Sequence, residues 1–288
     1  MPRPTTACVL ALLSHCALAW EGWRTIRPVG YIRSCWPEKF ATPRQGAVVP
    51  DAVASLKIAL EDGMGDPCYA LEGLDEYSHV WLVWMAHLNG HDAQKAKVVA
   101  PKLRGGKAGL FATRSPFRPN PMGLSLVRLV SIEGDTLHLS GVDLVDGTPV
   151  VDVKPYIPSY DAPAPDDGPV RTAEWIDPPP LPVRLAPEAE AALEAAAGRS
   201  VSLLRDASSL RRALVQTLAA DPRPLYRWRR ERGTSGAEYD VSIDGLCARC
   251  VFELGEDGSE WVTVLRLTMG AGGGGSLRSG DGGEAAST

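Results

Sequence analysis

Leu124-Ser125-Leu126-Val127-Arg128-Leu129-Val130-Ser131-Ile132-Glu133-Gly134-Asp135-Thr136-Leu137-His138-Leu139 decides the fold class. Leu124, Leu126 and Val130 alternate with the polar Ser125, Arg128 and Ser131, the period-two pattern of a half-buried strand. Glu133-Gly134-Asp135 is a short glycine turn, and Thr136–Leu139 returns, so the stretch reads as a β-hairpin. Downstream, Gly141–Pro149 repeats the strand-then-turn logic and Val150–Tyr156 is one more short strand. Upstream, Tyr77–His87 is aromatic and β-branched and reads as a buried strand. Lys97–Pro101 is another short strand, and Ala52–Leu60 fits either a first helical turn or a strand. Trp23–Arg33, broken by Pro28, suits an edge strand. Short strands separated by glycine and proline turns predict a mainly β domain, a barrel or a sandwich.

Past this domain the composition changes. Asp161–Pro182 is rich in proline and aspartate and reads as a linker. Pro187–Gly198 is helical by propensity, with proline suited to its first turn. Ser209–Ala220 is amphipathic, with Leu210, Leu214 and Leu218 at helical spacing, and Asp221-Pro222-Arg223-Pro224 ends it. Tyr239–Ile243, Leu246–Leu254 and Trp261–Leu267 are three strands of a smaller α+β domain. The expected organisation is a leader-like or disordered start at 1–22, a β domain at 23–162, a linker at 163–184, an α+β domain at 185–268, and a disordered glycine-rich tail at 269–288. The start carries Arg3, a short apolar run Ala7–Leu13 and a small-x-small Ala17-Leu18-Ala19. This fits a signal or organellar leader as well as a disordered extension, so the location stays open between cytoplasm, mitochondrion and plastid.

The bulk chemistry excludes several classes. With 288 residues, 44% apolar, 23% charged and a net charge of -5, the chain is an ordinary globular protein and not a uniformly basic nucleic-acid binder. Six cysteines lack the spacing of a disulfide framework, and Cys247-Ala-Arg-Cys250 is a lone ligand-type pair, read as strand cysteines. The glycine fingerprint of a Rossmann site, the Walker loop and the Gly-x-Ser-x-Gly elbow are all missing. Asp143, Asp146 and Asp152 cluster in sequence, but with Asp143 and Asp146 expected on different strand faces and no histidine near, no metal is expected. Asp146-Gly147 is a good turn pair.

Two stretches carry chemistry. Gly109–Leu124 holds Pro116, Pro119 and Pro121, which forbid helix or central strand and stiffen the loop bearing Arg114 and Arg118. Two oriented guanidiniums suit an anionic or carboxylate-bearing ligand, though a rigid surface connection fits equally. Arg223–Arg232 interleaves five arginines with Tyr226 and Trp228, the charge-and-stacking footprint of RNA binding; a solvated charged hairpin is the plainer reading. His87, at the end of the aromatic strand, is lifted above an ordinary core histidine because loops carry function.

Phe111-Ala-Thr-Arg-Ser-Pro-Phe-Arg-Pro-Asn-Pro-Met-Gly-Leu124 and Val142-Asp-Leu-Val-Asp-Gly-Thr-Pro-Val-Val-Asp-Val-Lys-Pro-Tyr156 closely resemble the TsaA-like, or TrmO, tRNA methyltransferases. Thr42-Pro-Arg-Gln45, the strand ending at His87, and Asp221-Pro-Arg-Pro-Leu-Tyr226 fit as well. The resemblance implies a small, non-Rossmann β-barrel methyltransferase domain and a homodimer. It implies S-adenosylmethionine as cofactor and methylation of N6 of N6-threonylcarbamoyladenosine at position 37 of tRNA, beside the anticodon. It places the cofactor at Pro43, Arg44 and Gln45; at His87 and Leu88; at Arg114 and Leu124; and at Asp143, Leu144, Val145, Asp146, Gly147 and Thr148. His87 and Asp146 are the candidate bases. Arg118, Asn120, Lys154 and Tyr156 in the first domain, and Asp221, Arg223, Tyr226, Arg227 and Arg229 in the second, are the residues expected to face tRNA. A module that kept the barrel and lost catalysis, or a methyltransferase with another substrate, are the competing readings.

Overall fold

The hairpin forms, but with the opposite face inward. In the computed structural model, Ser125, Val127 and Leu129 point into the core, while Leu124 (54% exposed), Leu126 (37%) and Val130 (58%) line the outside. Both faces of this strand are apolar, so alternation alone could not choose between them. The structure describes residues 26–39, 42–61, 63–89, 95–100, 103, 106–176, 179–196, 203–204, 206–231 and 233–269. The expected leader and the glycine-rich tail lie outside these residues.

The first unit is a closed antiparallel barrel. Its strands are β1 (Gly30–Ser34), β2 (Val53–Ile58), β3 (His79–Met85), β6 (Met122–Glu133), β7 (Thr136–Ser140) and β8 (Pro149–Pro155); a side hairpin pairs β4 (Lys97–Val99) with β5 (Lys107–Gly109). Around the barrel the order is β1-β2-β7-β6-β3-β8, closed where Gly30 and Tyr31 meet Val150 and Pro149. Closure removes the edge that Pro28 suggested, since the proline sits just before β1 and costs no ladder hydrogen bond. The 52–60 ambiguity resolves as strand, with Ala54, Leu56 and Ile58 buried in alternation. The segment 141–148 forms no strand. Gly141 takes φ +70 directly after Ser140, which breaks the ladder, yet Val142 and Leu144 still drop into the barrel core. Asp143 and Asp146 are therefore loop residues and not members of opposite strand faces.

Alternating strand directions fix where the loops go. The β1–β2, β3–β6 and β7–β8 connections all leave from one end of the barrel, and the β2–β3 connection and the β6–β7 hairpin from the other. Short helices α1 (Pro67–Ala70) and α2 (Pro158–Asp161) belong to the latter side, where the chain exits after β8.

The second unit stacks α3 (Pro187–Ala196) and α4 (Ala207–Ala219) on a sheet of order β10-β11-β12-β9, built from β10 (Ala237–Ile243), β11 (Leu246–Leu254), β12 (Glu260–Met269) and β9 (Val183–Leu185), with β9 parallel to β12. Cys247 and Cys250 both lie on β11. The Arg223–Arg232 stretch is no hairpin: Leu225–Glu231 is a helix, α5. The core of this unit is not its own alone. Cys35, Trp36, Val49 and Ala52, from the β1–β2 connection, are buried in the same cluster as Leu210, Leu214 and Tyr239.

Candidate active site at one end of the barrel

The chemistry-bearing segments meet at the end where the β1–β2, β3–β6 and β7–β8 connections emerge. Gly123 lies flat under the indole of Trp84; a Cβ there would stand 2.1 Å from the Trp84 ring, so only glycine lets the two strands close this mouth. Trp84 Nε1 donates to Ser125 Oγ at 3.0 Å, and Ser125 Oγ donates to Asp143 Oδ1 at 2.5 Å. Asp143 also receives a hydrogen bond from the Gly46 backbone and feels the Arg114 charge. Burial nevertheless dominates and raises its pKa above the usual carboxylate range, with the Ser125 bond as the largest opposing influence.

The three connections are tied to one another. Arg114 Nη1 donates to Gln45 Oε1, and Gln45 Nε2 donates to the Arg44 carbonyl. Lys39 Nζ donates to the Leu88 carbonyl, and Asn89 Nδ2 to the Pro116 carbonyl at 2.8 Å. Asp146 Oδ1 accepts from Ser34 N at 2.9 Å, while Thr148 Oγ1 donates to Val145 O at 2.6 Å and tightens the turn. His87 stands exposed at the rim with its pKa lowered. Desolvation is the main cause and the Lys39 charge adds to it, while a hydrogen bond to the Met85 backbone works against them. Desolvation also lowers the Arg44 pKa, and the Asp221 carboxylate of the second unit offsets this. Leu88 (44% exposed) and Leu124 offer apolar surface at the same rim.

Pro43–Gln45, His87, Leu88, Arg114, Leu124 and 143–148 are thus drawn from distant parts of the chain to one end of one barrel. Sequence reasoning missed Trp84, Ser125 and Gly46. Alternation puts Ser125 on the outer face, and with Arg128 and Ser131 also polar on the same strand no local pattern singles it out.

Several expected tRNA-facing residues are committed elsewhere. Arg118 Nη1 donates to Thr113 O at 2.8 Å and its guanidinium lies 5.3 Å from the Phe111 ring centre, so it locks its own loop. Asn120, by contrast, stays exposed where the loop enters β6, its backbone carbonyl accepting from Met122 N at 2.7 Å. Lys154 pairs with Asp152 at 2.8 Å, and Tyr156 packs edge-on against Trp81 at 5.9 Å; both lie towards the opposite end of β8 from the loops. Arg223 is buried, bound bidentately to Asp221 at 2.8 Å and stacked 3.7 Å from the Phe252 ring centre. Arg227 bonds Glu231 at 2.6 Å and the Glu238 carbonyl at 2.7 Å. Tyr226, Arg229 and Arg230 lie on the exposed side of α5, with Arg230 Nη2 3.7 Å from Glu231 Oε1.

The tRNA-methyltransferase O N-terminal domain family matches residues 31–162. The tRNA (adenine(37)-N6)-methyltransferase of Escherichia coli (strain K12) is 37% identical over 217 residues, covering 73% of this chain and 86% of that protein. The chain belongs to the TrmO family. A crystal structure of TrmO from Pseudomonas aeruginosa superposes with a TM-score of 0.64 at 33% identity, over 86% of this chain and 99% of that one. The mouse tRNA (adenine(37)-N6)-methyltransferase is 51% identical over 136 residues, 47% of this chain and 31% of the mouse protein. The chain spans about a third of the length of the mouse, rat and human relatives it matches. Membership agrees with the closed mainly β barrel and its α+β companion. Among the described residues no helix is long and apolar enough to cross a membrane.

Proposed function

We propose that this chain transfers the methyl group of S-adenosylmethionine to N6 of N6-threonylcarbamoyladenosine at position 37 of tRNA. The convergence of Pro43–Gln45, Arg114 and Asp143 on one end of a TrmO-family barrel carries this reading. The residues there suit the cofactor chemically. Arg114 offers a guanidinium to a carboxylate such as that of the methionine moiety. Asp143 offers a desolvated carboxylate to the sulfonium or to ribose hydroxyls. Leu88 and Leu124 offer apolar surface to a nucleobase, and Arg44 with the 144–148 turn completes the set.

S-adenosylmethionine, when bound, supplies an already activated methyl group. The chain's own task is then alignment and proton removal. N6 of the substrate shares its lone pair with the ring and the carbamoyl group, so it is a weak nucleophile whose proton must leave. His87 is the base this reading favours: its lowered pKa keeps it neutral near pH 7, able to take the N6 proton onto its imidazole. Asp146 spends one oxygen on Ser34 N and shapes the turn instead.

The tRNA surface in this reading is the exposed side of α5, where Tyr226 offers a stacking face and Arg229 and Arg230 offer charge. Two copies pair, in this reading, through the outer row of β6, where Met122, Leu126 and Val130 stand exposed. A tRNA substrate places the enzyme in the cytoplasm or in a protein-synthesising organelle.

Calorimetry with S-adenosylmethionine tests the cofactor reading. The wild-type chain is expected to bind, and Arg114→Ala to lose about 1.5–3 kcal/mol, the worth of a charged hydrogen bond. Undiminished binding by Arg114→Ala would remove Arg114 from the pocket.

A further inference from the structure

Trp36 belongs to two structures at once. Its ring is fully buried in the hydrophobic cluster of the second unit. Yet its indole N–H donates to the Val142 carbonyl at 2.8 Å, and its own carbonyl accepts from Asp146 N at 2.8 Å. One side chain and its backbone thereby hold both ends of the Asp143–Asp146 turn. The preceding carbonyl, of Cys35, accepts from Asp244 N at 2.8 Å in the β10–β11 turn, and Glu38 Oε1 accepts from Ser242 Oγ at 3.2 Å.

The far end of the same connection is fastened too. Val49 and Ala52 are buried in the second unit's cluster. Asp51 accepts from Arg212 Nε at 3.1 Å and from Gln216 Nε2 at 3.0 Å, both on α4. Between the two anchors lie Pro43, Arg44 and Gln45, with Arg44 under the influence of the Asp221 carboxylate. The barrel has a separate core of its own, so it does not need these contacts to close. What they hold is the pair of loops, 43–45 and 143–148, at its mouth.

We infer that the second unit is a working part of the cofactor pocket: Trp36 and the Asp51–Arg212–Gln216 clamp are positioning residues that set the two loops before the cofactor arrives. The inference rests on the reading that those loops hold S-adenosylmethionine. A connection of this length left free must be ordered at the moment of binding, and a connection already anchored escapes that cost. Loosening the anchors should therefore weaken cofactor binding and raise the cofactor KM. It should spare kcat at saturating cofactor and spare tRNA affinity, because α5 is untouched.

The test uses the full chain with two changes. Trp36→Phe keeps an aromatic ring in the cluster, removes the N–H to Val142 and shortens the buried side chain. Arg212→Ala/Gln216→Ala opens the clamp on the surface of α4, and Arg212→Lys is its conservative control. Calorimetry should show the Kd for S-adenosylmethionine rising about three- to tenfold in the first two, as for loss of a hydrogen bond or two, with Arg212→Lys close to wild type. Folded variants with wild-type Kd and KM would overturn the inference, as would a kcat loss at constant KM. If Trp36→Phe does not fold, the clamp variants decide. If the wild-type chain itself binds no S-adenosylmethionine, the proposed function fails, and amide exchange at 43–45 and 143–148 still reads the anchoring. Faster exchange in the clamp variant supports it, and unchanged exchange overturns it.

Discussion

Gly123 and Trp84 show how narrow the tolerance is at single positions. The indole lies where any side chain at 123 would go, and the same indole orients Ser125, which in turn orients Asp143. Gly123→Ala is expected to cost about 1–3 kcal/mol of stability by overpacking, measured by urea unfolding, and to disturb Asp143 through Trp84. His87 sets an expectation in pH. Its folded pKa lies below that of a free histidine, so the unfolded chain takes up the proton first as pH falls. Protonation below the ordinary histidine range therefore works against the fold, and it also removes the proposed base. The acid limb of kcat/KM should fall below about pH 6.5, and His87→Gln should lower kcat and abolish that limb. An unchanged profile in His87→Gln would assign the base elsewhere. Arg114 and Leu124 were legible as single residues because the long Phe111–Leu124 motif contains them, and His87 because it ends the aromatic strand. Ser125 and Trp84 were not, because their roles arise from a diagonal pairing between β3 and β6 that no local pattern encodes.

Helices and loops absorb more of the arginines than their sequence suggests. The stiff 109–124 loop was visible from its prolines, but which arginine locks it and which stays available depended on where the Thr113 carbonyl ends up. Along 223–231 the interleaved arginines and aromatics gave an RNA footprint, and the structure divides it. Arg223 and Arg227 bind acidic partners and aromatic rings of the second unit, and only the other side of α5 faces outward. Charge reversal at Arg229 and Arg230 should accordingly weaken tRNA binding and flatten its salt dependence. Equal slopes for wild type and variant would move the RNA surface off this helix. At the start of α4, Asp206 accepts from Ser209 N at 2.8 Å as an N-cap, and the Ser208 and Ser209 bonds hold its carboxyl well below the usual carboxylate range. A carboxylate depressed in this way stabilises the fold above the ordinary aspartate pKa and loses that contribution as pH falls through its folded value. Asp206→Ala should cost about 1 kcal/mol near pH 7, seen as a lower urea midpoint, and less in strong acid.

For the molecule as a whole, alternation and turn chemistry predicted a mainly β unit followed by an α+β unit, and both are present. Closure was beyond their reach, because a barrel's last pairing, here β1 with β8, joins segments more than a hundred residues apart. The inward face of β6 was misassigned for a related reason: a strand apolar on both sides carries no internal label. The outer row it leaves exposed is the face proposed above for pairing of two copies. Leu126→Glu/Val130→Glu should convert a dimer into a monomer by light scattering, and a wild-type monomer would rule this face out. The shared core around Trp36 was equally hidden, since it unites a loop of the first unit with the helices of the second. The most direct measurement is nucleoside mass spectrometry. Purified chain is incubated with methyl-labelled S-adenosylmethionine and with tRNA that carries threonylcarbamoyladenosine but lacks its N6-methyl group. The expected result is label on the N6 of that nucleoside alone, and less of it in Arg114→Ala at limiting cofactor; label on another nucleoside, or none in the wild type, would contradict it.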